Sequence, residues 1–213
     1  MEQPIRDTSV GSFLDILGSN APAPGGGSAA ALSGAMAAAL VGMVCNLTIG
    51  RKRYVEVENE MRELLDRAEA LRAELQQLAE DDVAAFNRLS AAYKSPRITD
   101  ADIAIRRDAI QSSLKRATEV PLRTARAAAA ILPLCMPVAE HGNQAAVSDV
   151  GVAALLAHAA IRSALLNVEI NLRTLEDGLY TKQVRAEVAR LTDGLSAEAD
   201  QIAAVVARKL KAE

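Results

Sequence analysis

The 213-residue sequence contains no tryptophan, only two cysteines and two histidines, and aromatic residues make up 2% of it. Since half of the residues are hydrophobic, alanine, leucine and valine must fill the core, and such small side chains favour closely packed helices. Cys45 and Cys135 stand alone in apolar surroundings, so buried free thiols in a reducing compartment are expected. The N-terminal residues do not resemble a secretory signal peptide, and a cytoplasmic location is therefore predicted.

Further absences exclude several classes of site. The sequence has no Cys-x-x-Cys and no His-Glu-x-x-His motif, so neither a metal nor a cofactor is predicted. The Gly-x-Ser-x-Gly motif of serine hydrolases is also missing. A net charge of −3 gives no sign of nucleic-acid binding.

Apolar residues recur at helical spacing along most of the chain, and no strand pattern appears. The sequence therefore predicts an all-α fold, a single multihelical bundle of about seven helices that forms one domain over residues 1–213. The last of these helices is predicted to run from Gln183 to about Lys211.

A glycine loop, Ala21-Pro22-Ala23-Pro24-Gly25-Gly26-Gly27-Ser28, precedes an uncharged run from Ala29 to Ile49. Ser28 is predicted to cap the helix, and the free N–H groups at such a helix start suit a carboxylate, a phosphate or a polar ring edge. Packing and capping alone are the alternative. The run is long enough to cross a bilayer, but it is rich in alanine and no second such run is expected, so no membrane partner is predicted.

A heptad stripe of apolar residues begins at Val57 and leads to a carboxylate. Continued beyond Leu78, the stripe places Asp82 on the buried face of the helix. Because an unpaired buried carboxylate is costly and its pKa is raised, Asp82 should be paired or lie in a cleft. The alternative is that the helix kinks or ends near Leu78 and shifts the register.

Other polar groups lie at helix ends or within apolar helices. Three consecutive cations, Arg51, Lys52 and Arg53, either complement a helix C-terminus or bind an anionic tail. The remaining polar candidates are Asn143, Asp149, Asn167 and Asn171. Together with Asp82 and Ser28, these residues suit acid–base chemistry on a polar heterocycle that carries an anionic tail.

Five motifs in order along the chain resemble those of the formiminotransferase-cyclodeaminase family, in its C-terminal domain and stand-alone bacterial relatives. They are Pro22-x-Pro24-Gly25-Gly26-Gly27-Ser28 with Gly34-Ala35-Met36, then Gly50-Arg51-Lys52-Arg53-Tyr54, Asp82-x-x-Ala85-Phe86, Gly142-Asn143 with Ser148-Asp149, and Asn167-Val168-x-Ile170-Asn171-Leu172. The resemblance implies an all-α homodimer that acts on one-carbon adducts of tetrahydrofolate, with Asp82 as the catalytic residue.

Two reactions on the same carbon are consistent with this resemblance. Hydrolysis of 5,10-methenyltetrahydrofolate to 10-formyltetrahydrofolate is preferred, because the chain lacks a formiminotransferase domain. Cyclodeamination of 5-formiminotetrahydrofolate, with release of ammonia, is the alternative. A non-catalytic folate-binding protein and a purely structural helical dimer are the rival classes of function.

Within that reading each polar candidate has a predicted role. Asp82 takes a proton from the attacking water, and Asn143 and Asp149 accept from the pteridine. The cations Arg51, Lys52 and Arg53 bind the glutamate tail. Asn167 and Asn171 either contact the ligand or brace the helices. The glycine loop completes the predicted binding site with Gly25, Gly26, Gly27 and Ser28.

Overall fold

A computed structural model describes residues 4–211, and this part of the chain forms eight α-helices and no strand. The all-α prediction is therefore confirmed. The helices are α1 (Val10–Leu17), α2 (Gly26–Thr48), α3 (Glu58–Lys94), α4 (Asp100–Ala129), α5 (Leu132–His141), α6 (Val147–Leu172), α7 (Gly178–Thr192) and α8 (Leu195–Leu210). The described residues also form three short 3-10 helices: Ile5–Asp7 before α1, Lys52–Val57 between α2 and α3, and Gln144–Ala146 between α5 and α6.

Local side-chain chemistry sets several helix boundaries. Ser9 accepts from the Ser12 N–H at the start of α1, and Thr99 forms a capping box with Asp102 at the start of α4. Two glycines adopt positive φ, Gly50 after α2 and Gly194 before α8. The predicted single helix from Gln183 to Lys211 is therefore wrong, because the chain turns at Gly194 and forms α7 and α8.

Helix α2 packs against both α3 and α6. The small-residue face of α2 allows this close approach: Ala30 and Ala38 are buried, and a Cβ atom on Gly34 would lie 3.2 Å from the Leu75 methyl groups of α3. The main core also includes side chains of α4, α5 and α8. A second apolar cluster, which includes Leu114, Val168 and Val184, joins α4, α6 and α7.

The heptad stripe packs as predicted and its helix does not break. Met61, Ala68, Leu75 and Leu78 are fully buried, and α3 continues without interruption past Asp82 to Lys94. A kink or a change of register near Leu78 is therefore excluded. The stripe places Asp82 at the edge of the core, opposite the first turn of α2.

Three helical segments are long and apolar enough to cross a membrane, by length and composition alone: Gly26–Thr48, Asp100–His141 and Gln144–Leu172. The expectation that no second apolar run follows the first was therefore wrong. In this fold 61%, 61% and 44% of their most apolar windows are buried inside the protein.

Candidate active site

The site is built around Asp82, which is partly buried between α3 and the first turn of α2. The Ser28 hydroxyl lies 3.0 Å from Asp82 Oδ2 and also 3.0 Å from the carbonyl oxygen of Ala79. Ser28 therefore does not cap α2, as the sequence had predicted. The N-cap is Gly25, and Ser28 lies fully buried behind Asp82.

Burial raises the pKa of the Asp82 carboxyl group above its ordinary value, because the ionised form loses water. The hydroxyl and the backbone N–H of Ser28 act in the opposite direction, since both favour the ionised form. The N-terminus of α2 also favours a negative charge at this position. Burial is the larger effect, so the pKa of Asp82 is raised overall. A perturbed pKa beside a cavity is typical of an acid–base group.

The carboxylate can approach α2 only because residue 27 is glycine. A Cβ atom built on Gly27 would lie 2.1 Å from Asp82 Oδ1 and 2.5 Å from its carboxyl carbon, too close for any real contact. Glycine is therefore required at this position, because it allows direct contact between the start of α2 and the Asp82 carboxylate.

Asp82 faces a cavity of about 320 Å³. Its lining comes from the glycine loop, α3, α4 and α6. The lining residues are Pro22, Ala23, Gly25, Gly26, Gly27, Asp82, Ala85, Phe86, Leu89, Ala117, Asn167, Ile170 and Asn171. Apolar walls around a few polar groups are typical of small-molecule sites.

Asn167 and Asn171 both line the cavity and both brace α6. The Asn171 amide nitrogen donates to the Ala117 carbonyl of α4 at 2.8 Å, and that of Asn167 donates to the Ser163 carbonyl at 3.0 Å. Within residues 4–211 neither amide oxygen has a hydrogen-bond partner, so each remains available as an acceptor. The two alternatives that the sequence left open, bracing and ligand contact, are compatible in this arrangement.

The other predicted site residues lie at the opposite end of α2. Asn143 donates from its backbone to Thr48 Oγ1 and from its side chain to the Leu47 carbonyl, both at 2.9 Å. Nearby, the Gln144 N–H donates to the Tyr54 hydroxyl at 3.1 Å, which fixes the segment that carries Arg51, Lys52 and Arg53. Asp149 lies in the first turn of α6. Helix α2 is about 33 Å long from Gly26 to Thr48, so one chain does not bring these residues to Asp82.

Sequence reasoning gave no role to several cavity residues. Phe86 belongs to the Asp82-x-x-Ala85-Phe86 motif, and a place in the cavity could have been predicted for it, because it follows Asp82 by four residues and so lies on the same helical face. Ile170 likewise follows Asn167 by three residues. Nothing in the sequence pointed to Ala117, which reaches the cavity only through the packing of α4 on α6. Within the described residues, no group of three His, Cys, Asp or Glu side chains is placed to hold a metal ion.

The raised pKa of Asp82 makes protein stability depend on pH. Between the ordinary aspartate pKa, about 3.9, and the higher pKa in the fold, the folded protein binds more protons than the unfolded chain. The contribution of Asp82 to the free energy of unfolding should therefore fall as pH rises through this window. We expect the difference in that free energy between wild type and Asp82→Asn, from urea titrations at several pH values, to show this fall; parallel curves would contradict it.

Comparison with known proteins is consistent with this geometry. The model of the formiminotransferase-cyclodeaminase family matches residues 9–190. The chain belongs to this family. The sequence-based resemblance is thereby confirmed.

Two relatives illustrate the range of the family. The methenyltetrahydrofolate cyclohydrolase of Methylorubrum extorquens is 45% identical over 90% of each chain. The formimidoyltransferase-cyclodeaminase of Rattus norvegicus is 34% identical over 99% of this chain, which spans 38% of the length of the rat protein.

The family fold is also shared with a solved structure. The formiminotetrahydrofolate cyclodeaminase of Thermotoga maritima superposes with a TM-score of 0.79 at 30% identity, over 97% of this chain and 98% of that one. Similarity over nearly the whole of both chains means that the two proteins share one fold.

Proposed function

We propose that this protein is a methenyltetrahydrofolate cyclohydrolase, which hydrolyses 5,10-methenyltetrahydrofolate to 10-formyltetrahydrofolate. The observation that carries the proposal is Asp82, a carboxyl group with a raised pKa that faces a cavity of about 320 Å³. The choice of hydrolysis is supported by the cyclohydrolase from Methylorubrum extorquens, which is 45% identical over 90% of each chain.

Asp82 would act through its ionised form. The carboxylate stabilises the cationic methenyl bridge and accepts a proton from the water that attacks the bridge carbon. The adduct then opens: the bond from this carbon to N5 breaks, N5 takes a proton, and the formyl group remains on N10. One proton is released overall, and Asp82 returns to its ionised state.

The rest of the cavity would hold the substrate. The free amide oxygens of Asn167 and Asn171 suit N–H donors on the pteridine edge, and the Phe86 ring in the cavity lining suits a flat aromatic ring. No cofactor takes part in this proposal, because the tetrahydrofolate derivative is itself the substrate.

The test is the absorbance of 5,10-methenyltetrahydrofolate mixed with the purified protein. Loss of absorbance well above the spontaneous rate would establish hydrolysis. No loss, together with conversion of 5-formiminotetrahydrofolate to the methenyl compound, would establish the cyclodeaminase alternative, which the Thermotoga maritima structure favours. A protein that binds either compound but converts neither would be a folate-binding protein only.

We further propose that the protein is a homodimer through its α2–α6 face, which we define by Met36, Ala39, Met43 and Leu47 of α2 and Val152, Leu155, Ala159 and Leu166 of α6. These side chains are exposed, and α2 carries no charged residue from Gly26 to Thr48. Exposed apolar side chains grouped on two packed helices are typical of an interface. A groove between the two helices shares Gly26 and Asn167 with the cavity, so the face is continuous with the site.

A second copy of this chain, packed on the α2–α6 face, would complete the site. If the two α2 helices pair in antiparallel fashion about a two-fold axis, the C-terminal end of one lies over the N-terminal end of the other. The partner subunit's Arg51, Lys52 and Arg53 would then lie beside this cavity. None of the ion pairs among the described residues involves these three cations, although the Arg53 guanidinium lies 5.7 Å from the centre of the Tyr54 ring. Their charges therefore suit an anionic group of the substrate.

Mixed dimers provide a direct prediction. Asp82→Asn dimers, and dimers in which Arg51, Lys52 and Arg53 are all changed to glutamine, should each be nearly inactive. After the two are denatured and refolded together in equal amounts, half of the dimers are mixed, and each mixed dimer has one intact site. We therefore expect recovery of about a quarter of wild-type activity.

Two results would contradict the composite site. One is a refolded mixture no more active than its parents, although light scattering shows dimers. The other is a wild-type protein that is monomeric and fully active. As a control, refolded wild type must regain its own activity.

We propose a cytoplasmic location without membrane insertion. The buried thiols of Cys45 and Cys135 are free, and burial raises their pKa to about 11 and about 12, so both stay protonated and poorly reactive. The three apolar segments would serve packing within the bundle and across the α2–α6 face.

A further inference from the structure

Ser28 has one proton and two acceptors. Its side chain is fully buried, and its Oγ lies 3.0 Å from both Asp82 Oδ2 and the Ala79 carbonyl oxygen. Because a hydroxyl group donates one hydrogen bond at a time, Ser28 donates to only one of these two acceptors at any moment. An ionised carboxylate is a stronger acceptor than a peptide carbonyl, whereas a neutral carboxyl group is not.

We propose that the Ser28 hydroxyl is a two-position switch that follows the charge on Asp82. It donates to Asp82 Oδ2 while the acid is ionised and to the Ala79 carbonyl while the acid is protonated. Ser28 is thus a positioning residue that acts through Asp82 and does not touch the substrate. The role of this switch in catalysis rests on the proposed function, but the switch itself exists in the protein without substrate.

The arrangement removes an energetic obstacle to acid–base chemistry. A buried hydroxyl without an acceptor is costly, and Ser28 would face that cost in one of the two states if only one acceptor were present. With both acceptors in place, neither state leaves the hydroxyl unpaired. During turnover Asp82 gains one proton from water and later loses it, while the Ser28 proton changes acceptor without leaving its oxygen.

Ser28 is the polar side chain that controls the titration of the Asp82 carboxyl group, as the neighbouring elements show. Helix α2 has no charged residue, and α6 presents the neutral amides of Asn167 and Asn171. On α4, Arg116 and Arg123 lie 3.7 and 3.8 Å from Asp81 rather than Asp82. On α3 itself, Glu80 accepts from the Arg6 N–H and so faces away from the cavity.

Carbon-13 NMR of the free protein tests the switch without any folate. The Asp82 carboxyl resonance, assigned by its loss in Asp82→Asn, should titrate at higher pH in Ser28→Ala, with the protonation equilibrium moved by about tenfold. In wild type the Ala79 carbonyl resonance should move with the same midpoint, since its hydrogen bond appears as Asp82 is protonated. In Ser28→Ala that movement should vanish.

Two further variants keep the test decisive. Ser28→Cys keeps a weak donor, so the Asp82 midpoint should move in the same direction as in Ser28→Ala but by less. This variant provides the test if Ser28→Ala folds poorly. Thr124→Val removes another buried hydroxyl, one that donates to the Val120 carbonyl at 3.2 Å, and should leave the Asp82 midpoint unchanged. An unchanged midpoint in Ser28→Ala, or an Ala79 carbonyl that does not follow Asp82 in wild type, would overturn the switch.

The kinetic consequence is separate from the titration. If the protein is a cyclohydrolase, the acid limb of its pH–rate profile should move to higher pH in Ser28→Ala and not in Thr124→Val. A protein with no turnover at all would refute the proposed function, whereas the NMR titration would still decide the switch.

Discussion

Replacing Asp82 by asparagine should lower kcat for hydrolysis of 5,10-methenyltetrahydrofolate by about 100- to 10,000-fold, the usual contribution of a general base. Asparagine keeps the size of the side chain and can still accept from the Ser28 hydroxyl, so the geometry of the first turn of α2 is preserved. What it cannot do is take a proton from water or balance the positive charge of the methenyl bridge. The loss should therefore appear in kcat much more than in KM.

Asp81→Asn is the matched control for this prediction. Asp81 is the neighbouring carboxylate, but it pairs with Arg116 and Arg123 and does not line the cavity. Its replacement should change kcat by less than about twofold, since it removes only two partly exposed ion pairs. If both variants lose activity equally, or if folded Asp82→Asn keeps full activity, Asp82 is not the base.

The position of Asp82 could be predicted because one helix contains all of the necessary information. The heptad stripe is a property of α3 alone, and a carboxylate on that stripe is an anomaly visible in the sequence. The same holds for the fold class, since helical periodicity and caps such as Thr99 with Asp102 are local signals. Local rules were sufficient wherever the answer lay within one element.

Residues whose roles depend on packing between elements were harder to predict. Serine is a favoured helix cap, yet the N-cap of α2 is Gly25, three residues before Ser28, and the Ser28 hydroxyl faces α3 instead. The basic segment at Arg51–Arg53 was grouped with Asp82 by chemistry, although the whole of α2 separates them in one chain. The three-dimensional arrangement shows that one chain does not bring them together, and the homodimer that we propose would do so.

Gly27→Ala should lower kcat by about 100-fold or more while leaving the protein folded. The new methyl group would lie 2.1 Å from Asp82 Oδ1, so the carboxylate must turn away or α2 must shift from α3. A misplacement of a catalytic group by about 1 Å costs about 100-fold in rate. Alanine also favours helix more than glycine does, by up to about 1 kcal/mol, which offsets part of the strain in the free energy of unfolding.

The separation of activity from stability makes the Gly27 experiment informative. Gly178→Ala is the control, because Gly178 opens α7 and a Cβ atom there meets nothing within 4 Å. It should gain a similar helix preference and keep wild-type kcat. Circular dichroism melting curves of both variants, measured together with their kcat values, distinguish a loss of activity from a loss of folded protein. If Gly27→Ala loses activity only in proportion to lost folded protein, the glycine is required for packing alone; if it keeps wild-type kcat, direct contact between α2 and Asp82 is not needed for the reaction.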